Sequence, residues 1–313
     1  MKPAFSVILL TTLIGAAQGL LVAVYGADVA GRLGFTDAPG RGVGVTGAAC
    51  AVVLAALGLL ASFWHLGRPE RAWRAATMWR TSWLSREVIV LPGFLATTFA
   101  YGAGSLWGAA WTPLAGALAL ACCVALFVCT GMIYACLRFL QEWASPLTVL
   151  NFTLLGCASG FTLATALAAF GLADDHAAAL GTWAIGLAAT ALAVRAAMLA
   201  RNARLRPRST LQSATGVRHP RLAQTSQGLM GGSFNTREFM HGRSRAFLRG
   251  IKWAFLVLAF PVPVLMLFLG LLYGSVLLLV AAFIVQYAGL LCERWFFFAQ
   301  ANHPQNLYYQ VIS

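Results

Sequence analysis

The sequence predicts an all-α, polytopic membrane protein with eight transmembrane helices, and three observations carry that expectation. The 313 residues are 60% hydrophobic and only 10% charged, with a mean hydropathy of +0.76. A soluble domain is about one-quarter charged. Eight apolar runs recur along the chain, each close to the ~20 residues that cross a bilayer. Finally, the basic residues fall almost entirely on one side of those runs. In a soluble protein a net charge of +13 would point to nucleic acid. Here it reads as a topology signal, and no nucleic-acid partner is expected.

The spans are expected near 4–27, 43–65, 86–107, 113–137, 148–171, 177–200, 252–272 and 274–296, within one membrane domain covering 1–313. The first follows Lys2. It is longer than a signal-peptide core and no cleavage site with a soluble domain follows, so it reads as a retained span. It carries Gly15 and Gly19 in a small-xxx-small pattern that lets helices approach closely, and Gln18, a polar group at depth that needs a partner. The second run ends at His65. The third opens on Leu84-Ser85-Arg86-Glu87 and holds Pro92-Gly93, expected to kink it and free carbonyls near Glu87. The fourth closes on Tyr134, Arg138, Gln141 and Glu142, and Trp143 to Pro146 turns the chain into the fifth, near Thr148 and Asn151.

Between about Asn202 and Arg249 lies the one long polar segment. Structureless loops of that length are uncommon unless they bind something or are disordered. Its arginines could hold the membrane orientation or face anionic lipid. Leu211, Leu222, Leu229, Met230, Phe234, Phe239 and Met240 favour instead a loop ordered against a partner subunit. The seven cysteines all lie in apolar runs without a C-x-x-C pair, so they encode neither an iron–sulfur nor a zinc site and read as small buried packing residues. No internal repeat is evident.

Lys and Arg set the orientation. Grouping the termini with the loops after spans two, four and six collects 20 of the 22 basic residues, leaving only Arg32 and Arg41 opposite. The positive-inside rule then places both termini in the cytoplasm.

The stretch from Phe63 to Glu87 holds the chemistry. His65 sits at the end of one membrane helix and Glu87 in the first turn of the next, among Trp64, Trp73, Trp79 and Trp83. Either could be an ordinary interface residue, but ionisable groups at membrane depth are costly and usually functional. A transmembrane haem takes two facing histidines, and of His65, His176, His219, His241 and His303 only His65 lies close to a predicted helix. No flavin or nucleotide motif, catalytic triad or zinc-peptidase pattern is present. What the residues suit is a quinone: electron exchange moves two protons with two electrons, so the ring oxygens need hydrogen-bond partners able to pass protons to water. Histidine titrates near neutral pH, and a desolvated carboxylate holds its proton to higher pH than one in water. Arg86 projects about 100° from Glu87 on a helix of ~3.6 residues per turn, towards the headgroups.

The motifs His65-Leu66-Gly67-Arg68-Pro69, Leu84 to Glu87, Trp143 to Phe152, Gly232 to Phe239, Glu293 to Ala299 and Asn306 to Tyr309 resemble the DmsC family, over nearly the whole chain. These are membrane anchors of dimethyl sulfoxide reductase-type molybdoenzymes. The resemblance implies eight spans and two partners, a molybdopterin catalytic subunit and a four-cluster ferredoxin-like iron–sulfur subunit. It also implies an anchor that holds no haem, iron–sulfur cluster or molybdenum and exchanges electrons between menaquinone or ubiquinone and the nearest cluster. By motif, Glu87 and His65 match the family's proton-transferring quinone-site pair. Gln18, Ser85, Arg86 and Tyr134 complete the candidate quinone contacts. The segment from Gly216 through Phe239 most resembles anchors of sulfite-oxidising, quinone-reducing complexes, in the bacterial inner membrane. A purely structural anchor is one alternative. A secondary transporter is another; that class would show repeated halves with broken helices and midplane charges, and although Pro92, Pro261 and Pro263 are present, no matching repeat is.

Overall fold

The structure is a computed structural model, and it describes residues 1–37, 40–64, 66–172, 174–223, 225–226, 241–304 and 306. His65, the Gly232 to Phe239 motif, the Leu307 to Tyr309 tail and the expected ordering of the long loop over 227–240 lie outside the described residues.

Eight helical stretches are long and apolar enough to cross a membrane. They are α1 (Phe5–Arg32), α2 (Arg41–Phe63), α3 (Trp83–Trp107), α4 (Thr112–Ala135), α5 (Pro146–Leu167), α6 (Asp174–Ala203), the pair α8 (Arg245–Leu258) and α9 (Pro261–Leu272), and α10 (Val276–Ala299), with a short α7 (Leu211–Thr215) between α6 and α8. A 3₁₀ helix, Pro69–Ala76, links α2 to α3. Alternating direction puts the N-terminus, both ends of the α2–α3 and α4–α5 connections, and the C-terminus of α10 at one end, termed the basic end below.

Lipid is as apolar as leucine, so helices gain little by hiding leucines from one another and pack instead through small residues and backbone proximity. The interior is accordingly built from Ala16, Ala17, Ala48, Ala51, Ala55, Ala119 and Ala184, while Leu57, Leu60, Phe99, Leu114, Leu118, Leu265, Leu277 and Ile284 point outward. Helix α1 is the hub, touching α2, α4, α5 and α10, and α5 links that group to α6 and α10. The Gly15/Gly19 pattern does what its spacing predicts. It meets a second pair on α5, Gly156 and Gly160, so closely that a Cβ on Gly160 would lie 2.1 Å from the Gly19 carbonyl carbon. Thr11, Thr12, Thr162 and Thr165 return their hydroxyls to carbonyls of their own helix, as buried polar groups in lipid must.

Several expectations need correction. Helix α1 runs to Arg32 and the seventh span begins at Arg245, because hydropathy sees only the lipid-facing part and misses helical turns at the polar interface. Helix α3 passes through Pro92 as one continuous element. The break falls in the seventh span, where Phe260 leaves helical geometry (φ −126°, ψ −81°) ahead of Pro261, as residues before proline tend to. Gln286 Nε2 donates to the Ala259 carbonyl at that break, at 3.4 Å. Cys136 is exposed at the end of α4, whereas Cys123 and Cys129 are buried as expected. His176 is also helical, in the first turn of α6 at the opposite end, with Nε2 2.8 Å from the Asp37 carbonyl oxygen.

Candidate functional site

Helix α3 starts because Ser82, in extended geometry, accepts the Ser85 backbone N–H at 3.4 Å. The first turn that follows sorts its side chains by direction. Ser85 and Glu87 turn inward and are buried. Arg86 turns back over the loop: Nε donates to the Trp79 carbonyl and Nη2 to the Arg80 carbonyl, both at 2.9 Å, and the guanidinium lies 4.3 Å from the Trp83 ring centre. Arg86 therefore holds the loop in place, a role its expected headgroup-facing direction did not include.

Glu87 meets α4. The Thr130 hydroxyl donates to Glu87 Oε1, and that is the carboxyl's one hydrogen bond among the described residues. Tyr134 follows one turn along the same face of α4. Its ring is enclosed by Trp143, Phe152, Phe297 and Phe298, each with its centre 5.4–5.6 Å away.

The Trp143 to Phe152 motif builds the wall behind this tyrosine. Ser145 caps α5 by accepting the Leu147 N–H at 3.2 Å, and Thr148 returns its hydroxyl to the Trp143 carbonyl at 2.7 Å. Trp143 stacks on Phe297 and donates Nε1–H to the Phe297 carbonyl at 2.9 Å, clamping the α4–α5 corner to α10.

Beside this wall lies a charged cluster that sequence reading missed. Arg195 Nε sits 2.8 Å from Glu293 Oε1, and Arg294 Nε 3.4 Å from Oε2 of the same carboxylate. Arg195 and Glu293 are fully buried, and the Arg294 guanidinium lies 3.6 Å from the centre of the Phe152 ring. Arg195 Nη1 and Asn151 Nδ2 both point at Met198 Sδ, at 3.3 and 3.0 Å. Asn151 Oδ1, Arg195 Nη2 and Arg294 Nη1 have no hydrogen-bond partner among the described residues. Counted along the sequence, Arg195 and Arg294 pass for loop charges that set orientation; the structure corrects this and puts both inside helices. An arginine flanked by Ala193-Val194 and Ala196-Ala197 was the available signal.

The structure thus brings Glu87, Ser85 and Tyr134 to one end of the α3–α4 pair. Arg86 stands beside them facing away, and His65 falls outside the described residues. Gln18 finds the partner it needs elsewhere: its Nε2 donates to the Cys123 carbonyl on α4 at 2.9 Å, tying α1 to α4.

Comparison with known proteins fits this architecture. Residues 3–309 match the family described as DMSO reductase anchor subunit (DmsC). The chain is 53% identical, over 326 aligned positions and the full length of both, to a sulfite dehydrogenase subunit of Allochromatium vinosum. The chain belongs to the DmsC family of membrane-anchor subunits.

Proposed function

We propose that this anchor exchanges electrons between a membrane quinone, menaquinone or ubiquinone, and an iron–sulfur cluster of its partner, and that Glu87 moves the accompanying protons. An anchor subunit implies a membrane and catalytic partners. The name of its Allochromatium relative favours sulfite as the substrate of the complex, and the partners proposed here are a molybdopterin subunit that oxidises it and a four-cluster ferredoxin-like subunit. The observation that carries the reading is a buried carboxyl at the membrane edge, with one oxygen taken by Thr130 and the other free of hydrogen bonds among the described residues. A carboxyl so placed can hold a ring oxygen and trade a proton with it, in either direction of electron flow. Thr130 fixes its rotamer, and the rings around Tyr134 keep water out behind it. His65 is proposed as the partner of the second ring oxygen.

The basic end is proposed as the cytoplasmic, docking face of an inner-membrane protein. By sequence, 18 of the 22 basic residues fall at this end once Arg195 and Arg294, buried inside helices, are set aside. Its 64–82 connection exposes Trp64, Trp73 and Trp79, with Arg74 and Arg80 stacked over Trp73 and Trp79. Electron tunnelling falls steeply with distance, so cluster and quinone must share an end. No haem is assigned to this chain, and a b-type band in its reduced-minus-oxidised spectrum would overturn that assignment.

Photolabelling tests the site. An azidoquinone irradiated with the membrane-bound complex should mark peptides of α3 and α4 near Glu87 and Thr130, with excess quinone protecting them. Labelling confined to other helices would remove Glu87 from the quinone site.

A further inference from the structure

A cavity lies at the basic end, between the start of α8 and the end of α10, and it holds none of the candidate quinone contacts. It measures about 320 Å³ and is lined by His241, Arg245, Leu248, Arg249, Lys252, Phe296, Ala299 and Gln300, at the lower end of the ~300–1,000 Å³ of small-molecule sites. Arg245, Arg249 and Lys252 recur at positions i, i+4 and i+7, so they line one stripe of α8. Among the described residues none of the three has an ion-pair partner, and no acidic side chain lines the cavity.

Two buried donors independently point to the class of ligand. His241 Nδ1 accepts the Arg243 backbone N–H at 3.0 Å. In the neutral ring the proton therefore sits on Nε2, which is a donor. Burial first, and then the nearby Met1 amino group, push this imidazole below its ordinary range. Nε2 is buried with no hydrogen-bond partner among the described residues, and so is the Gln300 amide nitrogen Nε2 across the cavity. A buried donor without an acceptor costs free energy, and here the two residues that carry such donors line a site with three cations and, among the described residues, no carboxylate. The missing component is an anionic oxygen.

Depth in the membrane selects its source. Trp253 and Phe247 are exposed on α8 beside the cations, and Phe247 packs edge-on against Trp295 at 5.3 Å. Aromatic side chains beside Lys and Arg mark the level of lipid headgroups, where basic pockets between helices hold anionic lipids. The walls Leu248, Phe296 and Ala299 are apolar, which suits a ligand with a hydrocarbon end. We propose that this cavity binds the phosphodiester headgroup of an anionic phospholipid, its oxygens accepting from His241 and Gln300 and paired with Arg245 and Arg249.

Native mass spectrometry of the full chain in mild detergent tests this, with added phosphatidylglycerol, phosphatidylcholine or inorganic phosphate. Wild type should retain phosphatidylglycerol, release phosphatidylcholine and take up no inorganic phosphate. The double variant Arg245→Gln/Arg249→Gln should lower phosphatidylglycerol retention by at least about tenfold, the scale of one charge-assisted bond. Gln300→Leu removes one orphan donor without touching a charge, and should lower it severalfold even if the double variant proves too unstable to purify. Equal retention of the two lipids, unchanged retention in both variants, or tight uptake of inorganic phosphate alone would each overturn the lipid site. So would loss of the partner subunits from the double variant with lipid retention intact, which would make these cations a protein-docking surface.

Discussion

Glu87 and Thr130 meet across the interface of α3 and α4, the threonine hydroxyl donating to the glutamate's Oε1. Both residues are buried, so each satisfies a polar group that would otherwise face hydrocarbon. The bond also aims a carboxyl that a flexible side chain would leave free to rotate.

Replacing Thr130 with valine keeps the shape and removes the donor. Loss of a partner to a buried polar group costs about 1–3 kcal/mol, so the variant should insert and assemble but unfold at lower temperature in detergent. Quinone-linked turnover should fall, and Thr130→Ser should restore it because the hydroxyl returns. Full turnover in the valine variant would make the bond incidental.

The Arg195–Glu293–Arg294 cluster should matter for stability far more than the ion pair at the other end. Removing one partner from a buried pair strands a charge and costs about 3–5 kcal/mol. Glu293→Gln strands two arginines, whose side chains are 0% and 4% exposed. Arg32, paired with Asp28 at 3.0 Å, is 47% exposed, and such pairs contribute about 0–1 kcal/mol. Thermal unfolding of Glu293→Gln should therefore shift strongly downward, and that of Arg32→Gln barely. Equal shifts would contradict the ranking.

Close approach of α1 and α5 rests on glycines. A side chain at Gly160 would strike the backbone of Gly19 and Leu20 at 2.1 Å, whereas one at Gly186 would meet nothing within 4 Å. Overpacking costs about 1–3 kcal/mol where side chains can shift, and more here because backbone would have to move. Gly160→Val should abolish a monodisperse detergent-solubilised protein on gel filtration, and Gly186→Ala should leave it intact.

These contrasts show what the sequence made legible. Eight spans were readable because apolar length is imposed by bilayer thickness, and the Gly15/Gly19 contact because its i, i+4 spacing is helical. Helix geometry gave the divergence of Glu87 and Arg86, but not which of them turns inward or that Arg86 reaches the loop carbonyls. Thr130 was hidden: a threonine in an apolar run looks like any other that bonds its own helix, and only the register of α4 against α3 brings it to Glu87. Arg195 and Glu293 were hidden for a related reason. They lie 98 positions apart, each looks like a charge near a helix end, and pairing them requires knowing which face of α6 meets α10. The break at Phe260 carried a local signal in Pro261 and Pro263, but proline at the start of a helix and proline within one read alike.

The Glu87→Gln variant tests the central claim most directly. It keeps size and hydrogen bonding while removing the ability to titrate, so assembly should survive. Loss of a general acid–base group costs about 10²–10⁴-fold in rate. The assembled complex should therefore lose quinone-linked turnover by a factor in that range, while activity with a soluble artificial electron carrier persists. Wild-type quinone turnover in this variant would contradict the account, and so would equal loss of both activities with failed assembly.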